Sequence, residues 1–475
     1  MKFLDRTDEL SRLHALSRRR DGGLAVLWGR RRVGKTRLLV EWCREQSGIY
    51  FVADESSAAV QRRYFAEAVA ARLPGFAAVE YPDWRSLLGR LSSDAALRRF
   101  RGPIVLDELP YLVEASPDLP SVLQQWLDHD ARRGRLVVAV AGSSQRMMQG
   151  LVLDAAAPLY GRATEALELR PLLPEWLPAA FGNPSPFSLV SHFAAWGGVP
   201  RYWELAASTP GTVERRIDRL VVDPAGPLHR EPDRLLLEEI PSAQEVRPLL
   251  DAIGAGAHRM SEIAGRVGRP ATSLSRPIER LTSLGLAVRE TPFGEDPRSS
   301  KRSVYRISDP FTRLWFRVVA PARGLLATGT PAVRIALLRR HFPGLVGSAW
   351  EELCRLQLPR LSTSSSLGAE GPWGVPGRWW HGAAPEWDMV ATTVDGTRCL
   401  YGEMKASARP LSLGSARKEV QRLAARPPPD LPRALGTLPT SRALFVPSVE
   451  KGVPSLIDGV HVVTLATLLE GVARR

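Results

Sequence analysis

Apolar residues along this chain fall into short unbroken runs separated by stretches of helical period. The runs at 24–28 (Leu-Ala-Val-Leu-Trp), 49–53 (Ile-Tyr-Phe-Val-Ala), 103–106 (Pro-Ile-Val-Leu) and 136–141 (Leu-Val-Val-Ala-Val-Ala) have the length of strands buried on both faces. Between them lie stretches of helical character: 7–16 with Leu10, Leu13 and Leu16, then 37–42, then 58–73. Asp5 or Thr7 is expected to cap the first of these. Strands alternating with helices predict a parallel sheet covered on both faces, with any ligand at the C-terminal ends of the strands.

From 171 to about 250 the pattern is helical and punctuated by prolines at 184, 186, 200, 224 and 227. Residues 246–308 are sharper. A helix is expected around 249–253, and a second at 260–267 with Ser261 as its cap. A third carries Leu274, Ile278, Leu281 and Leu284 at intervals of four, three and three, a single buried stripe ended by Gly285. Strands at 286–291 and 303–307 follow. Three helices and a hairpin make a winged helix. Arg276 and Arg280 lie off the apolar stripe, and the hairpin loop carries Arg298, Lys301 and Arg302. Across 259–306 ten Lys/Arg face five Asp/Glu, a balance that suits DNA.

A proline-containing connection is expected at 321–345, with a new domain after it. Residues 350–354 begin a helix bearing Glu351 and Glu352, and 386–391 and 399–405 alternate as two strands. Asp395-Gly396 between them signals a two-residue hairpin turn. Val394 then pairs with Thr397, and the ladder counted back sets Asp388 opposite Glu403, with Lys405 on the same face as Glu403. Trp387, Met389, Leu400 and Met404 fall on the other face. Facing carboxylates repel unless a cation joins them, and an all-oxygen set suits Mg²⁺ or Mn²⁺.

Composition adds two constraints. The formal net charge is +14 over 475 residues, which suits an anionic partner or reflects an arginine-rich background. Only six of the 64 basic residues are lysines, and two of those, Lys35 and Lys405, fall inside chemically suggestive patterns. Cys43, Cys354 and Cys399 are scattered, so neither a disulfide framework nor a zinc spacing is visible and a reducing cytoplasm is expected. No apolar run is long enough for a membrane span.

The densest chemistry is Gly29-Arg30-Arg31-Arg32-Val33-Gly34-Lys35-Thr36, followed by Arg37, between the first strand and its helix. Backbone N–H groups of such a loop cradle phosphates. Lys35 reaches the β- and γ-phosphates and Thr36 holds Mg²⁺. Asp107 and Glu108 end the 103–106 run as a Walker B pair, Asp107 for the metal and Glu108 for the attacking water. Ser143, after the fourth strand, would lie beside the γ-phosphate.

These patterns together resemble the archaeal-type AAA+ ATPases, relatives of the STAND class. The residues that carry the resemblance are Phe3-x-x-Arg6-x-x-Glu9-Leu10, the 29–36 loop, 106–112 (Leu-Asp-Glu-Leu-Pro-Tyr-Leu), 142–144, 158–162 and 197–202. It runs to the C-terminus. There Asp388, Glu403, Lys405 and nearby Pro385 look like a PD-(D/E)xK nuclease core of the DUF234 type. The resemblance implies a multidomain α/β chain: an ATPase core at 1–170, a helical lid at 171–245, a winged helix at 246–320, a linker at 321–345 and a nuclease-like domain at 346–475. It implies ATP and Mg²⁺ as cofactors, DNA as partner, and room for a homo-oligomer. Arg162 would be a trans-acting or sensor arginine, Asp388 and Glu403 metal ligands joined by Glu351, with Glu352 competing for that place, and Lys405 the group that positions water. The alternative is a STAND-like switch whose accessory domains are non-catalytic.

Overall fold

The computed structural model describes residues 3–155, 157–240, 243–298 and 300–470. Residues 3–172 with 199–201 form one compact unit, and 173–198 with 202–470 form the other.

In the first unit, β1 (Gly23–Trp28), β2 (Ile49–Val52), β3 (Pro103–Asp107), β4 (Val137–Gly142) and β5 (Ala163–Glu168) make a parallel sheet ordered β2-β3-β4-β1-β5. The unbroken apolar runs have a direct cause. Leu24 and Val26 point into one core with Ile104, Leu106 and Phe65, while Ala25 and Leu27 point into another with Leu38, Leu39 and Trp42. Both faces are covered, so no polar alternation survives. Each such aliphatic side chain contributes about 1.5–3 kcal/mol by leaving water. The first helix, Thr7–Ser17, has no side-chain cap. Arg6 takes the N-cap position and turns its guanidinium to Val33 O at 3.0 Å and Arg170 O at 2.7 Å, so neither Asp5 nor Thr7 serves there.

The second unit begins with helices, including Pro186–Trp196. The three-helix module is Ala243–Gly254, Met260–Val267 and Ala271–Ser283, followed by β6 (Ala287–Glu290) antiparallel to β7 (Val304–Ile307). Leu274, Ile278 and Leu281 are buried as the stripe requires, while Leu284 is half-buried because the helix has already ended. Ser261 is inside its helix rather than capping it, since the Glu262 carboxylate accepts from His258 N–H at 2.8 Å and Arg259 N–H at 3.1 Å.

Most of the expected linker is helical. Arg323–Thr328 precedes the long helix Pro331–Gln357, which runs through Pro343 and carries Glu351 at its far end. Pro331 occupies the first turn, where no amide donor is needed, so a residue that reads as a breaker is here a starter. This helix packs on Pro186–Trp196, and Trp350 Nε1 donates to Phe445 O at 3.3 Å.

The C-terminal sheet is mixed: β8 (Gly377–Trp379), β9 (Trp387–Thr392), β10 (Cys399–Met404), β11 (Thr440–Val446), β12 (Leu456–Ile457) and β13 (Val460–Thr464), ordered β12-β13-β11-β10-β9-β8. Among the described residues no helix is long and apolar enough to cross a membrane.

Candidate functional site

Glycine geometry shapes the first site. After β1 the backbone turns at Gly29 (φ 146°), where a Cβ would meet Leu169 O at 2.3 Å, and again at Gly34 (φ 98°). The helix Lys35–Glu45 starts at once, so its unpaired N–H groups face back into the loop. Lys35 is buried and its Nζ donates to Gly29 O at 2.7 Å and Arg30 O at 3.3 Å, inside the loop it helps to close. Val33 is fully buried, so only its backbone belongs to the loop. Arg31 and Arg37 are exposed, Arg30 and Arg32 half-buried, and the Arg37 guanidinium lies 5.9 Å from the Phe3 ring centroid.

The acidic end of β3 is fastened to this loop. Asp107 is fully buried. Its Oδ2 accepts from the Thr36 hydroxyl at 2.8 Å and from the Tyr50 hydroxyl at 2.8 Å, and its Oδ1 accepts from Glu108 N–H at 3.0 Å. Tyr50 had no signal in the sequence beyond being a strand residue. Burial first, and the Asp107 carboxylate second, push its phenol pKa well up, which keeps it a donor. Glu108 sits in left-handed backbone (φ 57°, ψ 47°). Its carboxylate accepts from Ser143 N–H at 3.1 Å and from the Ser143 hydroxyl. Thr36, Asp107, Glu108 and Ser143 therefore form one hydrogen-bonded chain across β3, β4 and the loop. The glycine cradle, the buried lysine and the Thr36–Asp107 pair fit a nucleotide triphosphate with Mg²⁺. Pro200 approaches the same loop, its Cγ 3.9 Å from where a Cβ on Gly34 would stand. Arg162 is engaged elsewhere: Nε and Nη2 each donate to Asp128 at 2.9 Å, and Nη1 to Pro158 O at 3.1 Å and Tyr160 O at 3.2 Å.

In the three-helix module Arg276, Arg298 and Lys301 are exposed and Arg280 is half-buried. Arg302 is drawn away from them. It pairs with Glu295 and donates to Trp380 O at 3.4 Å. The hairpin loop is tied to β8 by Phe293 N–H donating to Arg378 O at 2.7 Å, and Arg378 lies 3.7 Å from Glu290.

At the C-terminal acidic site the ladder has the register read from the sequence from Thr392 with Cys399 as far as Met389 with Gly402, and stops there, one residue short of the expected pair Asp388 and Glu403. The turn differs. Thr393 N–H closes on Arg398 O at 3.0 Å, leaving four loop residues, because Thr393 Oγ1 and Asp395 capture Thr397 N–H before Val394 can pair with it. Loops of two and four residues keep the same register. Trp387 is also displaced from the face expected of it: its ring lies 5.3 Å from that of Tyr401, which shares the Glu403 face. Asp388 Oδ2 accepts from Met404 N–H at 2.9 Å. Burial, then the charges of Glu351 and Glu403, raise the Asp388 carboxyl to about 6. Glu403 Oε1 pairs with Lys405 at 2.6 Å and its Oε2 with Arg426 at 2.6 Å. Glu351 lies 3.6 Å from Arg355, and Glu352 turns to Arg313 at 2.8 Å. Among the described residues no three His, Cys, Asp or Glu side chains converge to hold a metal ion. With both oxygens of Glu403 taken by cations, the donor set does not fit Mg²⁺ or Mn²⁺. Arg355 and Arg426 had no sequence signal, since each lies far along the chain from its partner strand.

Residues 3–190 match an ATPase domain found predominantly in Archaea, and residues 315–419 match a region, DUF234, of archaeal and bacterial proteins of unknown function. An uncharacterized protein of Methanocaldococcus jannaschii is 27% identical over 411 residues, spanning 85% of this chain and 87% of that protein. A Walker-type ATPase of Pyrococcus abyssi superposes with a TM-score of 0.48 at 20% identity, over 66% of this chain and 96% of that one. The ORC2 protein of Aeropyrum pernix does so with 0.44 at 13% identity, over 72% and 95%.

Proposed function

We propose that this chain, whose residues 3–190 match an ATPase domain found predominantly in Archaea and whose residues 315–419 match the DUF234 region, is a P-loop ATPase that hydrolyses ATP and uses the cycle to control how its three-helix module engages DNA. The loop N–H groups from Gly29 to Thr36 and the Lys35 ammonium hold the β- and γ-phosphates. Thr36 and Asp107 hold the metal. Mg²⁺, when bound, supplies charge neutralisation on the phosphate oxygens. Glu108 orients the attacking water, and Ser143 fixes Glu108. Arg162 braces the 158–161 turn through Asp128 until a partner subunit or ligand draws it out.

The observation that carries this reading is the hydrogen-bonded chain from Thr36 through Asp107 and Glu108 to Ser143. It fastens a metal-binding hydroxyl, a metal-binding carboxylate and a candidate base into one frame. Lys35→Ala should abolish ATP binding in calorimetry while the circular dichroism spectrum persists; normal ATP uptake by that variant would end the proposal.

DNA enters through the exposed Arg276 with Arg280, Arg298 and Lys301. Arg276→Glu with Arg280→Glu should abolish a duplex gel shift, and unchanged affinity would remove the module from the reading. The tie between Phe293 and Arg378 favours a second reading, a slow nucleotide-dependent switch whose modules grip one another. Steady turnover stimulated by duplex DNA selects the first reading. Slow exchange indifferent to DNA selects the second.

A further inference from the structure

Glu403 is only 7% exposed, and a carboxylate that deep needs a positive charge beside it. In a metal-dependent nuclease site of this pattern the divalent ion supplies that charge. Here two side chains supply it. Lys405 takes one oxygen and Arg426 the other, each at 2.6 Å. The Lys405 contact is what the Glu-x-Lys spacing itself provides. Arg426 is the departure, and it is firmly built in.

Arg426 follows the helix Leu413–Ala425 directly. Its Nη1 also donates to Glu386 O at 2.9 Å, and its guanidinium lies 5.1 Å from the Trp387 ring centroid. Arg442 anchors the backbone behind it, donating to Leu423 O at 2.8 Å and to Arg426 O at 3.3 Å. Trp387 itself is fully buried in the core on the Glu403 side of the sheet, with Val390, Tyr401 and Leu423. The other two acids have partners of their own, a backbone amide and a third arginine. The Asp388 carboxylate accepts from the Met404 amide, and Arg355, which faces Glu351, donates through Nη1 to the backbone carbonyl of Asp388 at 2.9 Å. Lys405 and Arg426 thus face Glu403 and Arg355 faces Glu351, while the Asp388 carboxylate is held by the Met404 amide. A divalent ion would have to displace a stacked guanidinium from Glu403.

We propose that Arg426 stands in for the metal on Glu403, so that the C-terminal acidic site is a metal-independent ionic hub that fastens the Leu413–Ala425 helix to β9 and β10 and does not cleave nucleic acid. This stands apart from the ATP reading, because none of these residues belongs to the P-loop.

The test is a Mn²⁺ titration of the full chain, free of nucleotide, followed by calorimetry and by electron paramagnetic resonance of the free ion, with plasmid nicking in parallel. Wild type should show neither a Mn²⁺ site nor nicking that is lost in Glu403→Gln. Arg426→Gln should gain a Mn²⁺ site roughly tenfold or more tighter than anything in wild type, the scale on which neighbours tune metal affinity, while ATP turnover stays unchanged. Wild-type Mn²⁺ binding or nicking that disappears in Glu403→Gln overturns the proposal. Should that variant fail to fold, Glu351→Gln, at a half-buried position, takes its place with the same meaning. A folded Arg426→Gln protein with no gain in Mn²⁺ affinity overturns the part assigned to Arg426.

Discussion

At the scale of single residues, chemistry at the P-loop depends on how rigidly Glu108 is held. A base that must deprotonate or align water contributes about 10²–10⁴ in rate. Glu108→Gln should therefore bind ATP normally and lose turnover by about that factor; undiminished kcat would displace Glu108 from its role. Ser143 acts only through Glu108. Ser143→Ala should lower kcat by about 10- to 100-fold with little change in KM, the penalty of slight misplacement. A change confined to KM would make Ser143 a binding residue instead. Tyr50 makes a different demand. Its hydroxyl donates to the fully buried Asp107 at 2.8 Å. Hydrogen bonds to charged groups are worth about 1.5–3 kcal/mol, so Tyr50→Phe should destabilise the ATPase unit by that amount in urea unfolding. The lysine, the Walker acids and the serine were legible because their meaning is local, a spacing beside an apolar run. Tyr50 and Arg426 were not. Each acts on a residue tens of positions away, and no pattern in its own neighbourhood marks it.

Elements were legible where periodicity is strict. The buried stripe of the Ala271–Ser283 helix and the strand runs of the ATPase sheet follow from one side chain per face or per turn. The β9–β10 register was readable because it survives a change in loop length. The helices within the expected linker at 321–345 were not legible, because proline looks the same at the start of a helix as in a loop. The Pro186–Trp196 helix carries a pH-sensitive element that its sequence hides. His192 is buried within it, stacked 3.8 Å from Phe181, with its Nδ1 accepting from Trp196 Nε1 at 3.2 Å. Burial first, then nearby Arg216, pushes its pKa down to about 3 from the ordinary 6.5. The folded state therefore needs neutral His192, while the unfolded chain takes up a proton near its ordinary value. The stability this group contributes is complete above about pH 6.5 and is lost as the pH falls toward 3, with a slope of up to about 1.4 kcal/mol per unit. His192→Gln, which keeps an acceptor for Trp196, should flatten the acid limb of the unfolding midpoint against pH. An unaltered limb would assign acid sensitivity to other groups.

For the whole molecule, the proposal ties a nucleotide site in one compact unit to a basic module in the other. Linkage makes that tie measurable. If bound nucleotide changes DNA affinity by some factor, DNA must change nucleotide affinity by the same factor. Couplings of this kind commonly amount to roughly 5–150-fold. The measurement is two titrations of Glu108→Gln, which binds without turning over on this reading. One takes duplex DNA affinity with and without ATP·Mg²⁺. The other takes ATP affinity with and without duplex. Equal, non-unit factors place both ligands on one equilibrium. Factors of one in both directions would mean that the module binds DNA, if at all, without reference to the P-loop. The Arg276→Glu, Arg280→Glu variant supplies the internal check. It should bring the DNA-dependent change in ATP affinity to nothing while leaving ATP affinity alone intact. A residual effect of DNA in that variant would locate the contact on another surface of the second unit, where the basic residues around Lys405 and Lys418 are the next to be changed.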